Sequence, residues 1–326
     1  MAQQKMRIIN CGGNVNNTGA SSCYFDPKNF TGAIHVPSGT TFTATQMLTM
    51  KTALAAAIAN DNINKRIFPV KVFEGMEDKS TDAVTENTKY GGMRKVRNGK
   101  YAWYYEYVNG GYALHSKLKS FDNKQDAFDV IFIDSVNNGL VGIAKGTNNT
   151  EFGGFPLELL DVPNFKLNDG STSTKYTIGY CMEDTEEVNT NMVILQFEKS
   201  WKVLRNITAL KDLEINIQTA MSALGLVKLS LTEGGGAIDL ADTYSTELAT
   251  AGLYSAFNYA TQLAIAVTSV TYVPATKTFE VLLDNTDPNY PAVVGALITI
   301  KIGTVTALVA AGVIGYGNSE ITTPRG

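Results

Sequence analysis

The residues with the most chemistry in them are few. His35 and His115 are the two histidines, and neither lies in a strand-turn-helix GxSxG pattern or another nucleophile motif that an imidazole base would serve. Cys11, Cys23 and Cys181 are too few for a disulfide framework, and their spacing pairs none of them with histidines as a zinc site requires. Cys11 and Cys23 either form one clip or remain reduced thiols in a turn-rich arm. Asp284-Asn285-Thr286-Asp287 and Glu183-Asp184-Thr185-Glu186-Glu187 gather oxygen ligands of the kind calcium accepts, but both lack the alternation and glycine of an EF-hand loop. They read as solvated turns. Paired carboxylates for glycoside cleavage drawn from them have no aromatic or polar substrate framework around them. Gly234-Gly235-Gly236 has no GK[ST] ending, so it is not a phosphate loop. Asn16, Asn148 and Asn206 each begin an N-x-T triplet, which is idle without a secretory route. These residues point away from an enzyme and name no cofactor.

A separation of charge is more informative. Glu74, Glu77, Asp78, Asp82 and Glu86 fall in one polar segment, residues 74–89, which reads as an acidic loop. An acid-free stretch carrying Lys89, Arg94, Lys95, Arg97 and Lys100 adjoins it. The bland reading is ordinary solvated charge. The sharper one is a head-to-tail contact between copies, with the acids meeting Arg94, Lys95 and Arg97 of a neighbour.

The whole chain of 326 residues has a net charge of −4, and residues 212–326 alone hold ten acids and four bases. The two parts therefore have different surfaces, and two domains are expected, 1–211 and 212–326. The acidic balance argues against a general nucleic-acid binder. Charged residues are only 18% of the chain, leaving surface that can be dried at interfaces. No apolar run of about 18 residues and no apolar leader segment is present, so no membrane partner is expected.

The elements that position these residues read as mainly β. Residues 10–22 form a polar arm. Thr43 and Gln46 resemble a capping box, and Met47, Met50, Leu54 and Ala57 follow at helical spacing, predicting one flanking helix. Asn98-Gly99 and Asn109-Gly110 predict two tight hairpins. If so, Tyr101, Trp103, Tyr105 and Tyr107 share a face, Tyr107 opposes Tyr112, Arg94 opposes Trp103 in a cation–π contact, and Glu106, His115 and Lys117 lie on the reverse face. Residues 129–134 predict a central strand covered on both sides, with further strands at 140–143, 157–162, 175–182 and 191–197. The N-terminal part reads as a β-sandwich or barrel. Residues 201–210 read as a junction. Beyond it, strands are expected at 213–217, 226–231, 265–273, 278–283, 297–302 and 305–314, with a helical insertion over 239–257.

The stretch Lys89-Tyr90-Gly91-Gly92-Met93-Arg94-Lys95-Val96-Arg97-Asn98-Gly99-Lys100-Tyr101-Ala102-Trp103, then residues 118–121 and Asp129-Val130-Ile131-Phe132-Ile133-Asp134, resembles virion structural proteins of tailed bacteriophages of gut Bacteroides-type bacteria. Val270-Thr271-Tyr272-Val273-Pro274-Ala275-Thr276-Lys277-Thr278-Phe279 is similar to the Ig-like domains appended to such proteins. Within that class the chain looks most like a major tail, or tail tube, protein. The resemblance implies a virion protein made in the host cytoplasm, partnered by copies of itself and other virion proteins, forming rings through which genomic DNA passes unread. Glu77, Asp78, Asp82 and Glu86 would then face the lumen or the next ring, since an acidic wall repels phosphates. A capsid decoration or neck connector protein is the near rival. A carbohydrate-binding adhesion module using exposed Trp103, Tyr104 and Tyr105 is the rival from another class.

Overall fold

The computed structural model describes residues 7–10, 26–108, 110–146, 150–167, 174–234 and 238–326. Cys11, Cys23, most of the polar arm, Asn16, Asn109, Asn148, Gly235 and Gly236 lie outside them. The fold is mainly β, built of antiparallel sheets. It divides into two compact units, residues 1–58 with 62–209, and residues 59–61 with 210–326.

The first unit contains, in chain order, β1 (Arg7–Asn10), β2 (Phe30–Pro37), β3 (Thr41–Phe42), β4 (Phe68–Lys71), β5 (Phe73–Asp78), β6 (Val84–Asn87), β7 (Met93–Arg97), β8 (Ala102–Tyr107), β9 (Phe128–Asp134), β10 (Gly139–Lys145), β11 (Glu151–Gly153), β12 (Leu157–Asp161), β13 (Tyr176–Met182) and β14 (Met192–Gln196). Its helices are α1 (Ala44–Leu48), α2 (Met50–Ile58), α3 (Gly111–Lys119), α4 (Thr185–Thr190) and α5 (Val203–Asn206). One sheet runs β1-β14-β10-β9-β2-β4, with β11 joining β10 to β3, and a second runs β12-β13-β8-β5. Phe30, Phe132, Val141 and Ile194 of the first share a core with Trp103, Tyr105, Ile178 and Tyr180 of the second. Residues 130–133 are fully buried, because β9 lies between β10 and β2 and has apolar side chains on both faces.

The capping box forms: Thr43 Oγ1 accepts from Gln46 N–H and Gln46 Oε1 from Thr43 N–H. Met47, Met50 and Leu54 turn inward. The expected single helix is broken at Thr49, whose hydroxyl bonds back to the Thr45 carbonyl and competes with the backbone ladder.

Both Asn-Gly hairpins are corrected. Gly110 does take a left-handed φ of 84°, but it opens α3 rather than a return strand. Tyr112 and His115 therefore sit on a helix, and His115 is buried beside Tyr107 instead of lying on the reverse face of a sheet. Gly99 makes no turn. It lies beside Thr81, where an added Cβ would fall 2.0 Å from the Thr81 carbonyl oxygen. Close approach, not φ, requires glycine there.

The second unit contains β15 (Leu213–Thr219), β16 (Leu226–Glu233), β17 (Ile238–Asp239), β18 (Tyr254–Asn258), β19 (Ala264–Ile265), β20 (Val267–Val273), β21 (Thr278–Leu283), β22 (Leu297–Ile302) and β23 (Ser319–Pro324), with α6 (Ala241–Tyr244) and α7 (Val305–Ala310). Sheets β15-β16-β21-β20 and β19-β18-β22-β23 share one core, centred on Leu229, Leu231, Phe279, Val281, Ile298 and Ile300. The expected helix over 239–257 reduces to the single turn of α6. Leu240 and Leu248 are buried as their spacing implied, but the chain then passes through turns into β18. The strand expected over 305–314 is instead α7: Thr304 caps the Ala307 N–H, and Val305 and Leu308 bury one helical face.

Candidate functional site

The charged residues singled out above lie on one continuous feature. β5 pairs β8 with Met76 opposite Tyr105 and Asp78 opposite Trp103. The ladder continues through Thr81 opposite Lys100 and into β6 and β7, where Glu86 opposes Arg94 and Asn87 opposes Met93. Residues 73–107 are therefore one long antiparallel hairpin whose base is core and whose outer part is an exposed two-stranded arm. Its turn is at residues 88–92, where Thr88 N–H donates to the Gly92 carbonyl and Gly91 takes a φ of 77°. From β6 to the tip spans about 20 Å at strand rise.

Every residue of β6 and β7 is exposed on both faces. Tyr90, at the tip, is 99% exposed and Met93 is 72% exposed, with Val84 and Val96 also open. A lone two-stranded ribbon is marginal in water, and apolar side chains on both of its faces are sites a partner can dry.

Each expected site residue has a definite place. Glu74, Glu77 and Asp78 lie on β5, Asp82 links β5 to β6, Glu86 is on β6, and Arg94, Lys95 and Arg97 are on β7. The acidic segment is thus not a loop but largely strand. Acids and bases meet within the chain: Arg94 Nη2 lies 3.1 Å from Glu86 Oε1. Lys79 pairs with Glu77 at 3.4 Å, and Asp78 Oδ1 accepts from the Ser80 N–H. Glu74, Asp82, Lys95 and Arg97 make no ion pair with another described residue. Residues 84–97 carry four bases against Glu86, a net +3. The arm is basic, not acidic.

The expected Arg94–Trp103 stack does not form, because Trp103 is buried in the core, edge-on to Phe30 at 6.0 Å. A different cation–π contact holds the arm's base: Lys79 Nζ lies 4.0 Å from the Tyr104 ring centroid. Tyr104 donates to Asp161 Oδ2 at 2.8 Å, and burial, reinforced by that carboxylate, pushes its phenol up. Trp103, Tyr104 and Tyr105 are all buried, so they offer no exposed platform for a sugar ring. Sequence reasoning missed the arm's exposed Tyr90 and Met93. Their signal was Gly91-Gly92, the true turn, outweighed by two nearby Asn-Gly pairs.

The remaining chemical groups are engaged structurally. His35 Nε2 shares a 2.9 Å hydrogen bond with the Tyr180 hydroxyl, both side chains being fully buried, and burial lowers its pKa to about 4. His115 Nδ1 meets the Tyr107 hydroxyl at 3.1 Å, and burial, with Lys119 nearby, lowers its pKa. Asp184 caps α4, and Asp284 accepts from Thr286. Among the described residues, no three His, Cys, Asp or Glu side chains come together as a metal site. A polar cleft of about 490 Å³ opens beside Asp129, Glu158 and Glu183. Its buried carboxylate, Asp129, is already held by Lys145 Nζ at 2.8 Å and by the Gly39 N–H.

No protein-family model, curated protein or solved structure matches this chain.

Proposed function

We propose that the chain is a self-assembling structural protein of a tailed-phage virion, most like a tail tube subunit, and that its β-arm is what one copy presents to the next. The observation that carries this reading is the arm itself: a ribbon exposed on both faces, with Tyr90 and Met93 open to solvent. Drying those two side chains supplies roughly 1.5–3 kcal/mol each. Exposed ion pairs add only about 0–1 kcal/mol, so charge sets register and apolar contact sets strength. Heterologous contacts of this kind close into rings when the rotation permits. In such a ring Glu74, Glu77, Asp78 and Asp82 line the lumen or meet the next ring, and genomic DNA passes without being read. Other virion proteins cap the stack.

Lys95→Glu with Arg97→Glu tests the reading, because neither side chain pairs with a described residue and their reversal leaves Glu86–Arg94 intact. Light scattering should show the wild type associating and the variant remaining monomeric at equal thermal stability. A variant that assembles like the wild type contradicts the arm's role.

A further inference from the structure

Acids and bases that lie side by side on one arm cannot both be the complement of a neighbour's arm. An arm of net +3 needs an acidic partner surface, and residues 212–326 carry −6. Within that unit one element stands apart. β20 is an edge strand of the sheet β15-β16-β21-β20, paired among the described residues only with β21. Edge strands are ordinarily guarded by charge, proline or brevity, because their free N–H and C=O groups template further pairing.

The other edges of the four larger sheets carry such guards. β4 has Pro69 and Lys71, β5 has Glu74, Glu77 and Asp78, and β12 has Glu158 and Asp161. β15 has Glu214, β23 has Glu320 and Pro324, β1 is four residues long, and β3, β17 and β19 are two residues each. β20 reads Val-Thr-Ser-Val-Thr-Tyr-Val over seven residues, with no charge and no proline. Its one irregularity is a bulge at the Val267 end. Thr268 and Thr271 are exposed along it.

Acidic residues lie near both ends of this strand. At the Val267 end Ala266 N–H donates to Asp287 Oδ2 and the Ala266 carbonyl accepts from the Asp284 N–H. Toward the Val273 end Asp242 pairs with Lys277, with Asp239 close by. An incoming strand therefore meets an uncharged, β-branched edge between acidic ends. β7, Met-Arg-Lys-Val-Arg, pairs among the described residues only with β6, is exposed throughout and carries the complementary sign.

We infer that β20 is the receptor edge for β7 of a second copy, the arm adding to the sheet by backbone pairing while Lys95 and Arg97, the bases of β7 not paired within the arm, meet the acids at its ends. This rests on the proposed self-assembly through the arm and names its partner surface. The pairing is heterologous, since the arm of one copy leaves its own β20 for the next.

A charge swap in the full-length chain separates the two ideas. Thr268→Lys with Thr271→Lys puts like charge on the receptor edge, at exposed positions. This variant should self-associate at least tenfold more weakly than the wild type. Lys95→Glu with Arg97→Glu should likewise fail to self-associate. Mixed together, the two variants should recover association measured by sedimentation velocity, because an acidic arm then meets a basic edge. If the arm reversal abolishes association, but the lysine edge assembles normally and the mixture shows no rescue, the arm reading stands and the β20 assignment is overturned. If the arm reversal has no effect, both are overturned. Circular dichroism and melting of each variant should match the wild type, and Thr268→Ser with Thr271→Ser should assemble normally; a serine variant that fails to associate as the lysine variant does would overturn the charge argument.

Discussion

Arg94 donates to both carboxylate oxygens of Glu86, at 3.1 and 3.3 Å, across a ladder whose residues are all exposed. The pair joins a base and an acid that the sequence suggested would meet between copies. Both side chains are at least half exposed, so the bond is screened and contributes about 0–1 kcal/mol. Glu86→Gln should therefore leave the melting temperature nearly unchanged. Amide exchange at Glu86 and Arg94 should accelerate modestly, and a collapse of the whole domain's stability would show that the arm is part of the core.

Gly99 should be intolerant of any side chain. A methyl group there lies 2.0 Å from the Thr81 carbonyl, so Gly99→Ala must open the ladder between Thr81 and Lys100. Exchange protection at those two amides should fall by tenfold or more, about 1.4 kcal/mol, while β9 and β10 stay protected. Unchanged protection at Thr81 would refute the register.

Buried His35 gives the fold a defined acid sensitivity. Its pKa is lowered by burial from 6.5 to about 4, so between those values the unfolded chain binds a proton that the native state does not. Stability is full above pH 6.5 and declines as pH falls toward 4, at about 1.4 kcal/mol per unit and about 3 kcal/mol in all. His115, also lowered, adds in the same direction. Urea unfolding at pH 7 and pH 4.5 should show this loss, and His35→Gln should reduce the pH dependence. An equal slope in the variant would assign it elsewhere.

Asn138 ties the loop after β14 to the sheet. At a φ of 48°, its Nδ2 donates to the Glu198 and Trp201 carbonyls at 3.0 and 2.8 Å, and its Oδ1 accepts from Val203 N–H. Asn138→Ala strands these groups and leaves a strained backbone, with an expected loss of about 2–4 kcal/mol. Chemical denaturation would measure it directly.

The sequence was legible where side-chain pattern alone determines the outcome. Residues 130–133 are apolar on both faces and could only be a covered strand, and the Thr43–Gln46 box depends on nothing beyond its own turn. It misled where one local signal serves several backbones. Asn-Gly favours positive φ, but Gly110 uses it to enter a helix, and Gly99 is chosen for contact with Thr81. The same ambiguity hid α7, since Val-Thr-Ala-Leu-Val-Ala suits strand or helix and only Thr304 decides. At the candidate site, the residue types and their separation by sign could be read. Their meeting within one arm could not, because the pairing of Glu86 with Arg94 follows from a turn at Gly91 that outranked two stronger motifs.

If the arm joins copies, the two units should fold without it. Deleting residues 84–97 leaves Asp82-Ala83-Asn98-Gly99 as a four-residue loop between the paired Thr81 and Lys100. Sedimentation velocity with negative-stain imaging of this variant beside the wild type is the most direct measurement. The wild type should form rings or tubes, and the deletion should be a folded, monodisperse monomer. Rings or tubes formed equally well by the armless chain would contradict the arm's role.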